Sequence, residues 1–300
     1  MLLARAPSAD AGSAGQNGLI ELVLERRAGR TRLAHSRTRP PLLVQQALYP
    51  DEAVPDMAYV FLANPTGGLL QNDRHSIAVS VGAGARAHVT TQSATKVYTM
   101  AGGVAEQRVR LEVAAGGYLE YLPDPLIPYR DASLEQAVEI ACEPGGALLF
   151  SDVITPGRVA MGESFRFKRI SNRLTVRGQS GRPAYLDAFD LEPEAGNLTG
   201  IGVLGFGGQG VADAASARTL GSLLIVCDSG RASVILDRVR RNLEPCPEVR
   251  VGASMLPHDN GVGVKMIGQD CAAVQQALTR VWSIARQELL GVAAPALRKY

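Results

Sequence analysis

Three stretches of the chain repeat one design, and this repetition limits the possible folds more than any other feature. They are VSVGAGARAHV at 79–89, LEVAAGGYLEY at 111–121 and EIACEPGGALLF at 139–150. Each holds a strand-like run, a turn of small residues and a second strand-like run. The turns centre on Gly84, Gly116 and Gly145, spaced 32 and 29 residues apart. Glycine suits such turns because it accepts positive φ without a Cβ clash. A unit of about 30 residues with two or three strands cannot bury its own apolar face, so this period predicts stacked coils. A β-sandwich of regular hairpins is the alternative.

The rest of the chain extends the pattern. From Leu19 to about Pro193 strand follows strand. In LIELVLERR, Leu22 and Leu24 face one way and Glu21, Val23 and Glu25 the other. The last hundred residues change character. SLLIVCD reads as a strand, and SGRASVILDRVRRNL as a helix with apolar positions Val234, Leu236, Val239 and Leu243 and Ser229 or Ser233 as its cap. EVRVGASML and GVGVKMIG read as strands around a PHDN turn. DCAAVQQALTRVWSIARQELLG is a second helix, with Val274, Leu278, Val281, Trp282, Ala285 and Leu289 in one stripe and Gly291 ending it. The expected fold is therefore mainly β (α+β). A stacked, β-helix-like body of antiparallel or mixed strands carries two C-terminal helices. Residues 1–17, rich in Ala, Gly and Ser, read as a disordered tail. Residues 18–300 read as a single domain, with a β-rich body at 18–200 and an αβ part at 201–300.

The stacking gives meaning to an odd segment, TTQSATKVY at 90–98. Its residues favour extended backbone, yet hydroxyls, an amide and a lysine leave no apolar face. Seven residues beyond the three turn glycines lie Thr91, Pro123 and Asp152. Coils stacked in register would set these side by side, as a common wall of hydroxyls with Asp124 and Asp152. In the alternative reading the hydroxyls satisfy one another and nearby backbone.

Composition excludes several function classes. Net charge is +2 and aromatics are 5%, which disfavours nucleic-acid binding. Arg238, Arg240 and Arg241 read as a solvated helix face. No run reaches 18 apolar residues and no signal-peptide pattern opens the chain, so no membrane association is expected. Cys142, Cys227, Cys246 and Cys271 include no C-x-x-C pair and read as reduced thiols of a cytoplasmic protein. The histidines, His35, His75, His88 and His258, form no H-x-x-x-H pattern, so no preassembled metal site is visible.

Two enzyme readings are available. Gly205, Gly207 and Gly210 spell G-x-G-x-x-G, with a strand-like run before, a helix-like run after and Asp228 at the tip of the next strand. That order would suit a dinucleotide-binding enzyme, with backbone approaching the pyrophosphate and the acid on a ribose. Against it, the motif follows about 180 antiparallel-looking residues, and too few follow it for a complete domain. The second reading, a carbohydrate-active β-helix, needs two carboxylates brought together in space; no G-x-S-x-G nucleophile motif is present.

The segment NPTGGLLQNDRHSIAVSVGAGARAHVTTQSATKVY (64–98) resembles the signature of the UreD/UreH urease accessory proteins. That signature has a Pro-x-Gly-Gly element, an aspartate six residues past the first glycine, and a TTQxATKVY segment. GGYLEYLPDPLIPYRDA (116–132), LLFSDVITPGRVAMGESF (148–165) and SNRLTV match later blocks in order. Asn72 stands where many members have glycine, and the PALRKY ending lacks the tryptophan often seen there.

The resemblance implies a nickel-insertion chaperone that is not itself an enzyme. It would join UreF-type and UreG-type (GTPase) accessory proteins to the urease subunits. It also implies a polar internal tunnel, whose positions map onto Asp73, Thr95, Asp152 and Asp187, with no tightly bound cofactor and nickel only in transit. The chemistry of these residues agrees. A tight nickel site wants imidazole or thiolate, whereas a path for a hydrated ion wants spaced oxygen ligands.

Overall fold

The structure, a computed structural model, describes residues 15–195, 219–242 and 248–296. The chain opens with β1 (Asn17–Arg27), β2 (Arg30–Arg39), β3 (Leu43–Val44) and β4 (Ala58–Ala63). The repeats then supply β5 (Gly68–Leu69), β6 (Arg74–Val81), β7 (Arg86–Thr91), β8 (Thr95–Val97), β9 (Ala105–Val113), β10 (Tyr118–Tyr121), β11 (Leu126–Pro128), β12 (Ser133–Cys142) and β13 (Ala147–Ile154). The body closes with β14 (Arg169–Arg177) and β15 (Pro183–Leu191). The C-terminal part holds β16 (Thr219–Val226), α1 (Ser229–Asn242), β17 (Val249–Met255), β18 (Gly261–Gly268) and α2 (Cys271–Leu290).

Two strands joined by a glycine turn do not pair with each other. β6 pairs with β9 and β9 with β12, so that Ile77, Val109 and Val138 stand side by side. β7, β10 and β13 do the same through Val89, Tyr121 and Phe150. These pairings are parallel, and their offsets equal the spacing of the turn glycines. The hairpin sandwich is thereby ruled out, because each turn carries the chain from one sheet to another. The outer sheet runs β15–β14–β12–β9–β6–β1–β2. The middle sheet runs β17–β18–β16–β13–β10–β7–β4–β3, with β5, β8 and β11 as a short third stack at its side. The strands are mixed, as expected, but the centre is parallel and the antiparallel pairs lie toward the ends. β16 pairs directly with β13, so the C-terminal part continues the body's own sheet.

The turn glycines form a column. Their φ values are 65° at Gly84, 69° at Gly116 and 79° at Gly145. A Cβ on Gly116 would lie 3.8 Å from the Gly84 amide nitrogen, and one on Gly145 3.9 Å from that of Gly116. Space is adequate there, so the demand for glycine is conformational.

Strand alternation builds three layers. Ala58, Val60 and Leu62 of β4 join Ile20, Val79, Leu111 and Ile140 in a core between the two sheets. Tyr59 of the same strand points the other way, into a second core beneath the helices with Leu149, Ile225, Val264, Ile235 and Val281. A third cluster, with Leu69, Val97, Leu126, Leu134, Ile170 and Phe167, fills the space beside the short stack.

The helix expectations hold with corrections. α1 buries Ala232, Ile235, Leu236 and Val239, while Val234 is exposed and Leu243 lies outside the described residues. Its cap is Asp228, whose Oδ1 accepts the Arg231 amide at 3.0 Å, rather than either serine. α2 is capped by Asp270 and ended by Gly291, and Trp282 on its stripe is buried. Of the expected tail, residues 1–14 lie outside the described part. Asn17 already belongs to β1, and the Gln16 amide donates to Asp73 at 2.8 Å.

α2 also carries a charge that the stripe does not announce. Arg286 is fully buried and bridges two carboxylates, Asp51 through Nη2 and Glu120 through Nε at 3.0 Å. Tyr59 donates to Asp51 at 3.0 Å and Tyr118 to Glu120 at 2.6 Å, while His88 Nδ1 meets the other Glu120 oxygen at 2.7 Å. Burial alone would push both carboxyls up; the partners outweigh it and hold both below the usual range.

Two outcomes follow. Gly116→Ala places a Cβ on a left-handed backbone and is expected to cost about 1–2 kcal/mol in denaturant unfolding. Arg286→Ala leaves two buried carboxylates without their cation and is expected to cost about 3–5 kcal/mol by the same measurement.

Candidate functional site

Between the two sheets the inward positions of the outer sheet read apolar, polar, apolar. β9 presents Ala105, Gln107 and Val109; β12 presents Leu134, Gln136 and Val138; β14 presents Ile170, Asn172 and Leu174. On β6, His75 precedes Ile77. The register pairs His75 with Gln107, Gln107 with Gln136 and Gln136 with Asn172. Because strands lie about 4.8 Å apart, the four side chains make a row roughly 14 Å long.

The middle sheet answers with its own row. Asp152 on β13 pairs with Ser222 on β16, which pairs with Lys265 on β18. Thr91 ends β7 on the same side. The in-register pairs Val89–Tyr121–Phe150 lie two residues before Thr91, Pro123 and Asp152, so the seven-residue spacing from the turn glycines does bring those three together. Apolar neighbours flank this row as well, with Phe150 and Leu224 on one side and Ile154, Leu220 and Ile267 on the other. Two facing polar rows thus form a lane separating two apolar cores. Thr91, Gln107, Gln136, Asp152 and Ser222 keep partial solvent exposure although they sit among fully buried residues.

At one end the rows are bonded to each other. Asp152 Oδ2 accepts Gln136 Nε2 at 3.1 Å and Asn172 Nδ2 at 2.7 Å. Lys265 and Asp187 form an ion pair beside them. Burial raises the Asp152 carboxyl to about 6; the positive charge of Lys265 and the Gln136 hydrogen bond oppose this, and Asp187 adds to it. At the other end, Asn64, Thr91, Thr95, Gln107 and His75 line a cavity of about 50 Å³. Burial holds the His75 imidazole below its ordinary value, against the pull of Asp73.

The four residues carried over from the resemblance fall into two groups. Asp152 and Asp187 lie together at the Lys265 end. Thr95 lines the cavity at the His75 end, with Asp73 behind it. Asp73 is buried, and its oxygens accept the Gln16 and Leu70 amides, each at 2.8 Å, so it closes a turn. The hydroxyls of TTQSATKVY are partly engaged with backbone too. Thr90 Oγ1 donates to the Leu122 carbonyl at 2.5 Å, and Thr91 Oγ1 accepts the Asp124 amide at 2.8 Å.

Sequence reasoning missed His75, Gln107, Gln136, Asn172 and Lys265. A signal for the first four was present: each stands two residues before an inward apolar residue, at spacings near the repeat. Two of them carry buried atoms without a hydrogen bond, Nε2 of His75 and Oδ1 of Asn172.

Other candidates fare differently. Gly205, Gly207 and Gly210 lie outside the described residues. The strand after them, β16, runs antiparallel to both neighbours, so it does not make the parallel crossover the dinucleotide fingerprint needs, and Asp228 is occupied as a helix cap. Cys142, Cys227 and Cys271 are free thiols, pushed by burial up to about 12, 12 and 11, and Cys246 lies outside the described part. Among the described residues no three His, Cys, Asp or Glu side chains are grouped to hold a metal, and no helix is long and apolar enough to cross a membrane.

Comparison with known proteins agrees with the sequence blocks. The family model described as UreD urease accessory protein matches residues 16–299. Urease accessory protein UreD 2 of Brucella suis biovar 1 is 34% identical over 95% of this chain and 91% of its own length. Urease accessory protein UreD of Haloarcula marismortui is 36% identical, covering 98% and 94%. That of Yersinia pseudotuberculosis is 35% identical, covering 95% and 86%.

The raised Asp152 carboxyl gives a pH prediction. Its native value of about 6 exceeds the ordinary 3.8, so the folded state holds this proton more tightly than the unfolded state. Its contribution to stability is present at low pH and is lost as pH rises from about 4 through about 6. Asp152→Asn should abolish that loss, so its stability relative to the wild-type chain should rise by about 2 kcal/mol across that window in denaturant titrations.

Proposed function

Since the chain belongs to the UreD family of urease accessory proteins, we propose that it acts as a non-catalytic scaffold in urease maturation and offers nickel a polar path toward the urease active site. Its partners in this reading are the urease subunits and the UreF-type and UreG-type accessory proteins, in the cytoplasm. Nickel is cargo, not a resident cofactor.

The observation that carries the reading is the lane itself. A polar row between two apolar cores is costly to fold, since buried amides, hydroxyls and carboxylates forfeit hydration and recover it only through partners. Here two such rows face each other across several strands, and Gln107, Gln136 and Asp152 keep partial solvent exposure. Amide and hydroxyl oxygens with sparse carboxylates bind a hydrated divalent ion weakly at each step, as a path requires. Asp152 and Asp187 supply the negative charge, and Lys265 neutralises part of it at rest. Thr95 contributes an oxygen at the far end. Asp73 acts through the turn it closes, which sets His75 and the cavity wall.

The test uses urease produced together with its accessory proteins. Asp152→Ala/Asp187→Ala is expected to co-purify normally with urease and the other accessory proteins, while nickel per urease and urease activity fall several-fold. Wild-type nickel content and activity, with the variant folded and bound, would remove these carboxylates from the path and the lane from the mechanism.

A further inference from the structure

We propose that the loop 156–165, between β13 and β14, is a preformed docking knob for a protein surface that offers an apolar socket with an acidic rim. The inference rests on the scaffold reading above, which places that surface in the urease assembly. The loop closes on itself. The Phe165 amide donates to the Pro156 carbonyl at 2.7 Å, the Glu163 amide to the Arg158 carbonyl at 3.1 Å and the Gly162 amide to the Val159 carbonyl at 3.0 Å. Gly157 has a φ of 129°, and a Cβ there would lie 2.3 Å from the Glu163 carbonyl oxygen, so no other residue fits. Compact loops tied in this way hold one shape.

Side chains fix the loop from within and below. Glu163 is buried inside it, and its carboxylate accepts Arg158 Nε at 2.7 Å and Nη2 at 2.6 Å, a forked pair that sets the guanidinium plane. That guanidinium lies over the Tyr129 ring, 3.9 Å from its centroid, and Tyr129 meets Tyr98 edge-on at 5.3 Å. Phe165 packs against the third core. All this order ends in a tip that serves no core. The 3-10 turn Val159–Met161 buries none of its residues. Val159 is 43% exposed and Met161 69%, the highest value among the exposed large apolar side chains of the described residues. A contiguous apolar tip on a fixed backbone marks an interaction site, because little ordering entropy remains to be lost on binding. Methionine suits it, since its unbranched thioether adapts to a partner's surface.

Charge at the base of the loop selects the partner. Phe167 is buried in the third core, so strand alternation turns Arg166 and Lys168 outward, where both are exposed. Arg130, with its side chain 54% exposed, stands beside Glu163. The Asp131 amide donates to the Arg166 carbonyl and the Lys168 amide to the Ala132 carbonyl, each at 2.9 Å, which ties these cations to one another. Asp131 is the exposed carboxylate among them, because Glu163 is committed within the loop. An apolar centre with a cationic surround is complemented by an apolar socket with an acidic rim. A lipid surface is the poorer match, since the tip carries no aromatic anchor and three residues insert little apolar area.

The experiment uses the full-length chain produced together with urease and its accessory proteins, and measures how much of each is recovered with it. Val159→Asp/Met161→Asp is expected to lower recovery of at least one of them about tenfold. The melting temperature of the chain should stay unchanged, because neither side chain is buried. Met161→Leu keeps the tip apolar and is expected to retain wild-type recovery. Arg166→Glu/Lys168→Glu is expected to lower recovery of the same protein several-fold and to flatten its dependence on salt. Wild-type recovery of every partner by folded Val159→Asp/Met161→Asp overturns the proposal. So does binding of the wild-type chain to phosphatidylcholine vesicles containing phosphatidylserine, if that variant loses it, since the knob would then be a lipid contact. Should the wild-type chain recover none of these proteins, the scaffold reading itself fails; equal recovery by wild type and variant removes the knob alone.

Discussion

A strand that turns away from its sequence neighbour leaves both of its backbone edges unpaired, and this constraint governs the whole architecture. β6 and β7 are joined by a tight turn but lie in different sheets. Each must find its hydrogen bonds about 30 residues away, in β9 and β10, and those in turn in β12 and β13. A single coil would expose its unpaired backbone and half its apolar side chains, so stacking is compulsory. The stack must then be ended. β2 and β15 run antiparallel at the two edges of the outer sheet, and β16, β18 and β17 extend the middle sheet beyond the last coil.

The same constraint turns a single polar residue into a path. When coils stack in register, one inward position repeats from strand to strand at the inter-strand spacing. An apolar position repeated this way becomes a core, as Ile77, Val109 and Val138 do. A polar position becomes a row, as His75, Gln107, Gln136 and Asn172 do. The cost is reduced where the rows bond each other, as at Asp152 with Gln136 and Asn172. It persists at His75 Nε2 and Asn172 Oδ1, the two places where the rows leave a buried atom without a hydrogen bond among the described residues. The polar interior and the apolar cores therefore have one geometric cause.

The helical layer is held by a different logic. Its stripe of apolar side chains would tolerate small shifts along the sheet, because hydrophobic contact is not directional. Arg286 removes that freedom. Its guanidinium must meet Asp51 and Glu120 together, and Glu120 is already oriented by Tyr118 and His88. Asp51 comes from the loop before β4 and Glu120 from β10, so the contact locks three distant parts of the chain. It lies on the face of the middle sheet away from the lane, which lets the helices be fixed without adding a permanent cation to the lane's walls.

The glycine turns, the period near 30, both helices and the side-by-side placement of Thr91, Pro123 and Asp152 were legible in the chain, because local backbone preference and repeat spacing are written one residue at a time. The parallel direction of the central strands was not, since a turn of small residues looks alike whether it joins two strands of one sheet or carries the chain between two. Nor was the role of Arg286, because an arginine at the edge of an apolar stripe ordinarily reaches water, and only the carboxylates brought from Asp51 and Glu120 make its burial possible. Asp73 and Asp152 share one residue type and one set of family blocks. Tertiary structure alone separated them, giving both oxygens of Asp73 to backbone amides while setting Asp152 between two sheets, where burial raises its carboxyl to about 6. The sequence by itself determined which residues could line an interior; the stacking register decided which of them meet there, because a hydrogen-bond partner some 30 residues away is chosen by the sheet and not by the neighbouring letters.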